Sequence, residues 1–337
     1  MDFPGEQLVI KLWETVAEKG IGSLFKPWQM RREGRASIDL KREELLVIAQ
    51  AERDADLIRR GEMSLATRNS SPLLLTKDDV PQGRAEEPSR FSQLPQAASD
   101  IVIADTLRRE ANVTRAILHA EETLEKDPQT PPDTSVNEDW LFRWRDSASL
   151  VSSEELQNLW GRLLAGEVKA PGTYSLRTLE FLRNLSQSEA EAIAKLSQFV
   201  VEDVIYREAK DLLDQAGITF GFLLSMQELG VVSGVEAIGG LSITWKSLEG
   251  SRYVRALTSN SMVLIATADD PNLLISLPSY QLTAVGKQVL RLGKFEPHAA
   301  YLKKVAEHLK GQGVQVELAQ YIHISPDQIQ CFNAQKL

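Results

Sequence analysis

The sequence predicts an α+β protein, mainly α. Three observations carry this. Apolar residues recur at helical spacing over most of the chain before Gly230. Ser152 with Glu155, and Ser186 with Glu189, match the Ser-x-x-Glu signature of helix starts. After Gly230 the chain changes to short β-rich runs separated by turn residues.

Residues 5–19 read as a short amphipathic helix with Leu8, Leu12, Trp13 and Val16 on one face, closed by Gly20 and Gly22. Pro27 interrupts the LFKPWQMRR stretch that follows. Residues 35–60 read as a second helix, dense in charges of both signs, whose apolar face of Leu45, Ile48, Leu57 and Ile58 is narrow. Together residues 1–62 form a helical arm. Residues 63–99 carry Pro72, Pro81, Pro88 and Pro95 among Ser, Gln and charge, and read as a disordered linker that buries too little apolar surface to offset its ordering entropy. A helix over 100–126 and a second linker over 127–137 follow.

A helical core domain spans 138–216, with helices predicted over 138–149, 153–165, 175–185, 187–203 and 205–215. Thr219 to Gly230 reads as a helix with Gly230 just past its end. Strand-like runs follow at 241–245, 253–257, 262–267 and 273–277, then a helix over 281–292. This order describes a winged-helix-like domain over 217–295 with a small antiparallel sheet. Residues 296–337 read as a helix over 297–311 and one strand over 314–324.

A net charge of −9 argues against a chain that coats nucleic acid, because such binding depends on Lys and Arg neutralising phosphates. Cys331 is the only cysteine, which excludes an intramolecular disulfide and a cysteine zinc cage. Acidic residues stand where a signal peptide would be basic, and no apolar run reaches roughly 18 residues. The expectation is a cytoplasmic protein, peripheral at the inner membrane if its arm touches lipid.

The arm holds the first candidate site. Trp13, Phe25 and Trp28 lie beside Lys26, Arg31, Arg32 and Arg35, the composition of an interfacial anchor. The same apolar residues suit docking on the protein's own body or on a second subunit, because a helix this short needs a surface to pack on. The second candidate is the helix–loop–helix from Ser152 to Leu182, where Glu167 and Arg177 flank a Pro171-Gly172 turn. Helix ends commonly need such partners, so Trp140, Trp160, Gly166, Glu167, Pro171, Gly172 and Arg177 read as structural. The third is a nucleic-acid contact by Arg252 and Arg255. Against it, the helix over 219–230 has no Lys or Arg to offer a major groove, and charges over 219–295 nearly balance.

Enzyme signatures are missing from the sequence. The four histidines, His119, His298, His308 and His323, are scattered, and there is no Gly-x-Ser-x-Gly elbow. Gly20-Ile21-Gly22-Ser23-Leu24-Phe25 matches neither a dinucleotide nor a phosphate loop. Asp78-Asp79, Glu86-Glu87 and Asp269-Asp270 fall in linkers or a turn and read as solvated. No cofactor and no metal are expected.

Asp139-Trp140, Glu154-Glu155-Leu156, Trp160, Leu164-Ala165-Gly166-Glu167, Pro171-Gly172, Ser175 and Arg177-Thr178-Leu179 resemble the bacterial family catalogued as domain of unknown function 2806. The resemblance extends through the winged-helix-like part and takes in GIGSLFKPWQMRR near the start. A looser similarity, through Leu185-Ser186 with Glu189-Ala190 and Leu282-Thr283 with Gly286-Lys287, is to abortive-infection alpha proteins of phage defence. Neither resemblance supplies a catalytic residue. The expectation is a non-enzymatic interaction or effector protein that binds a protein partner or itself, with the looser similarity implying a setting in phage defence. A DNA-binding regulator and an enzyme with an unrecognised site are the alternatives.

Overall fold

The computed structural model describes residues 3–18, 49–50, 52–60, 62, 94–293, 295–325 and 328–337. The protein is mainly α with two antiparallel sheets. The chain divides into two compact units, 1–172 and 173–337. The division falls at the Gly172-Thr173 step, inside the motif.

The first unit is helical: α1 Glu6–Glu18, α2 Leu94–Leu124, α3 Glu138–Ser149 and α4 Glu154–Lys169. The helix predicted to start at 100 begins six residues earlier, with Pro95 in the first turn, where its missing N–H has no intrahelical role. Asn137 caps α3. Ser153, not Ser152, caps α4, accepting from the Leu156 N–H.

α2 and α4 approach closely because small residues face each other. Ala116, Ala120 and Ala165 are fully buried, and a Cβ on Gly161 would lie 2.6 Å from the His119 Cβ and 2.8 Å from the Ala116 carbonyl oxygen. Buried polar groups bind α3 to its neighbours. The Trp144 indole donates to the Trp160 carbonyl at 2.8 Å. The Asn112 amide donates to the Ser149 carbonyl at 2.8 Å and accepts from Gln157 at 3.2 Å. Of the segment read as a second helix, residues 49–50 and 52–59 are helical, with Ala55 and Ile58 against Ala104 and Leu107 and Glu52 paired with Arg115 at 2.6 Å. Residues 19–48, 51, 61 and 63–93 lie outside the described residues.

In the second unit, α5 Leu176–Asn184 and α6 Gln187–Ser197 are followed by strand β1 Val204–Tyr206. The helix predicted to run to 203 ends at Ser197 instead. Val201 and Val204 exchange backbone hydrogen bonds at 2.9 and 3.0 Å around Glu202 and Asp203, which both have positive φ (45° and 65°). Two successive left-handed residues make the turn of a tight hairpin, and no helix passes through one. The capping box of Ser186 and Glu189 is formed in both directions.

Next come α7 Lys210–Gln215, α8 Phe220–Glu228, β2 Val232–Ser233, β3 Leu241–Trp245, β4 Tyr253–Ser259, β5 Met262–Ala268, β6 Ile275–Leu282, α9 Ala284–Leu290, α10 Ala299–Lys310, β7 Gln315–Ser325 and β8 Gln328–Lys336. Gly230, at φ 83°, ends α8 as expected. The strands form two sheets rather than the single small one predicted. In one, β6 pairs with β1, β2 and β3; in the other the order is β4-β5-β7-β8. The stretch after 295, read as a separate piece, supplies β7 to the same sheet as β5, and β8 is a strand the sequence reading did not include.

Candidate functional site

The predicted arm contacts divide. Trp13 is buried, and its indole N–H donates to the buried Glu121 of α2 at 3.2 Å. Leu8, Val9, Leu12 and Val16 are buried with it. The Gly5 N–H donates to the Glu125 carbonyl at 3.1 Å, and a Cβ on Gly5 would strike the Leu124 carbonyl. The apolar face of α1 is therefore covered by its own unit, so Trp13 has no free surface for lipid. Phe25, Lys26, Trp28, Arg31, Arg32 and Arg35 lie outside the described residues.

The family motif has structural jobs. The buried Glu167 carboxylate accepts the Gly172 N–H at 2.5 Å and closes the loop, and Gly172 takes φ 89°, which disfavours any side chain. Trp140 and Trp160 are buried, Gly166 and Pro171 are part-buried, and Arg177 is exposed. Ser175 caps α5, and Thr178 donates to the Gln288 side chain on α9, which also accepts the Ser175 N–H at 2.9 Å. The late Leu-Thr-x-x-Gly-Lys segment is similar in kind. The Thr283 hydroxyl donates to the Gly230 carbonyl and accepts from the Gly286 N–H at 3.0 Å, and Lys287 pairs with Asp203 at 3.0 Å.

Arg252 pairs with Glu249 at 3.4 Å and Arg255 with Glu202 at 3.3 Å. Both guanidinium groups thus have an acidic neighbour. Arg255 leads to the least expected arrangement in the protein, at the two edges of the β4-β5-β7-β8 sheet.

The β4 edge is bonded by its own chain at two residues, Val254 and Thr258, on either side of the outward-facing Ala256. The Glu202 N–H donates to the Thr258 carbonyl at 2.8 Å. The Glu202 carboxylate accepts the Thr258 N–H and hydroxyl, each at 3.1 Å. Four residues earlier, the Val254 carbonyl accepts the Leu248 N–H at 2.8 Å, and the Val254 N–H donates to the Ser247 hydroxyl at 3.0 Å. Val254 and Thr258 thus have every outward backbone group bonded. Burial pushes the Tyr321 hydroxyl on β7 above its usual range, with a hydrogen bond to Thr258 acting against it.

Among the described residues nothing bonds the outer edge of β8. Every residue of β8 is exposed except the half-buried Ile329, and no residue from Gln328 to Gln335 is charged. Past Gln320, β7 has outrun β5 and pairs with β8 alone. Ile322 (53% exposed) and Phe332 (41%) stand on this two-stranded ribbon. The histidines carry no shared site. His298 stacks on Phe199 and caps α10, while a ring nitrogen of His308 meets the Ser276 carbonyl at 3.2 Å. Among the described residues no group of three or more His, Cys, Asp or Glu is placed to hold a metal, and no helix is long and apolar enough to cross a membrane.

A family model described as protein of unknown function (DUF2806) matches residues 100–306, more than half of the chain. The match contains the motif, and the GIGSLFKPWQMRR segment falls outside it. No curated protein and no solved structure matches the chain.

Proposed function

The chain belongs to the DUF2806 family, and from that premise we propose that it is a non-enzymatic interaction protein which binds a protein partner along the edge strand β8. One observation carries this reading: in a single sheet, Glu202, Ser247 and Leu248 bond the β4 edge at Val254 and Thr258, while among the described residues nothing bonds the outer edge of β8. An unpaired strand edge is a template for another chain, and proteins that have no use for one normally blunt it with charge, proline or a covering loop. Strand addition gains affinity from main-chain hydrogen bonds and needs no pocket.

A DNA reader is the weaker alternative. α8 presents Phe220, Ser225 and Glu228 to solvent and has no basic residue. The setting in phage defence rests on the looser likeness alone, since Ser186, Glu189, Thr283, Gly286 and Lys287 all have structural partners. Plating efficiency of phage on cells with and without the gene tests that setting.

The binding role is tested by recovering the tagged full-length chain from its native cells. With chemical cross-linking in the cells before lysis, a protein partner, its own untagged copy included, should co-purify and be lost with Gln330→Lys. A chain recovered alone, or a low-salt shift of random duplex DNA that Arg252→Ala weakens, overturns the reading.

A further inference from the structure

We infer that the occupant of the β8 edge is a second copy of this chain, paired antiparallel about a two-fold axis at Gln330. The inference rests on the partner-binding reading above and names the partner.

The register follows from the sheet itself. In an antiparallel ladder the N–H and C=O of one residue point to the same side, and the side alternates along the strand. Val254 and Thr258 point away from β5, because their groups bond Ser247, Leu248 and Glu202. The residues of β4 that bond β5 are therefore Tyr253, Arg255 and Leu257. Carrying the alternation through the pairs Arg255↔Ala266, Ile265↔Glu317 and Ile322↔Gln330 makes Gln330 face β7. Ahead of the bulge in β8, the outward backbone groups are then those of Ile329 and Cys331.

The usable length is also fixed. Between Phe332 and Gln335 the strand carries two residues opposite one, and Asn333 has φ 55°. This bulge bends the edge and ends regular pairing. The straight segment is Gln328 to Phe332, and its centre is Gln330. A two-fold pairing confined to it sets Ile329 against Cys331 twice, which uses the outward N–H and C=O of both residues in each copy. It also places Gln330 beside Gln330 of the other copy in the closer, non-hydrogen-bonded position.

Three properties favour a copy over another protein. The segment matches itself by symmetry. It carries no charge, so two-fold pairing opposes no like charges even though each chain has a net charge of −9. Its bulge confines contact to one short register, which gives a closed pair and not a growing sheet. A five-residue edge is small against a standard interface, so the dimer is weak and reversible.

Sedimentation velocity on the full-length chain tests this by charge exchange at Gln330. The unaltered chain should dimerise with concentration. Gln330→Lys and Gln330→Glu should each weaken the dimer roughly ten- to a hundredfold, since like charges meet across the axis. An equimolar mixture of the two variants should restore it, which a misfolded variant could not do. A monomer at every concentration, single variants that dimerise normally, or a mixture that stays monomeric each overturns the inference. A different protein recovered at stoichiometric yield and lost with Gln330→Lys would leave the partner-binding reading standing while the self-pairing falls.

Discussion

Glu202 and Thr258 exchange hydrogen bonds in both directions, Glu202 N–H to Thr258 carbonyl at 2.8 Å and Thr258 N–H to Glu202 carboxylate at 3.1 Å. A side chain here completes what would otherwise be a strand–strand ladder. It does so from a turn whose two residues both have positive φ, a conformation uncommon for residues other than glycine, which the hairpin before β1 and the contacts with β4 hold in place. The polar chemistry of the second unit is thus used for closing an edge.

Removing that carboxylate should be costly for an exposed-looking position. Glu202→Ala leaves the Thr258 N–H and the Arg255 guanidinium without their acceptor and should destabilise the protein by about 1–3 kcal/mol. Urea denaturation reads the change. Asp203→Asn, which loses only the exposed pair with Lys287, should stay within about 1 kcal/mol. Equal losses in both variants would contradict the assigned roles.

Two glycines separate space from conformation. Gly161→Ala places a methyl against the His119 Cβ and the Ala116 carbonyl at the α2–α4 crossing, and overpacking of about 1–3 kcal/mol should outweigh the helix-propensity gain of about 1 kcal/mol. Gly172→Ala meets no atom within 4 Å, so its cost of about 1–2 kcal/mol is conformational. Gly172→Asn should recover part of that second loss, and Gly161→Ser none of the first. Thermal unfolding of the four variants gives the comparison.

Alkaline pH should destabilise the second unit through two tyrosines. Burial pushes Tyr206 up to about 12 and raises Tyr301 as well, so both stay protonated in the folded chain where the unfolded chain ionises near 10. The unfolded state then binds fewer protons, so this stability is complete below pH 10 and is lost as pH rises through the folded values. Tyr301→Phe removes the acceptor of the Tyr206 N–H, a 2.6 Å hydrogen bond, and should cost about 1–3 kcal/mol at pH 8. It should also flatten the decline above pH 10. Denaturation midpoints at pH 8 and 10.5 check both, and an unchanged alkaline slope would remove Tyr301 from the explanation.

The helices were legible because their ends carry their own signals. Ser186, Glu189, Asn137 and Thr219 cap through local hydrogen bonds three residues long. Trp160 and Leu164 stand four residues apart on one helix face, and the structure buries both. The helical spacing marks Trp13 as part of an apolar face, but what covers that face is not local: its indole bonds Glu121, 108 residues away. The hairpin at Glu202-Asp203 was hidden because neither residue is glycine, asparagine or proline, so nothing in Phe199-Val200-Val201 announced the end of a helix. β8 was missed for a related reason. QIQCFNAQK alternates only over Gln328 to Cys331, too short a run to stand out, and neither of its faces is buried. The open edge, which carries the functional reading, is thus where the local pattern is weakest.

Amide hydrogen exchange of the full-length chain at rising concentration tests the central claim most directly. The outward amides of Ile329 and Cys331 should exchange fast in dilute protein, become protected as concentration rises, and lose that protection with Gln330→Lys. Fast exchange at both positions at every concentration, or protection that Gln330→Lys leaves intact, would contradict it.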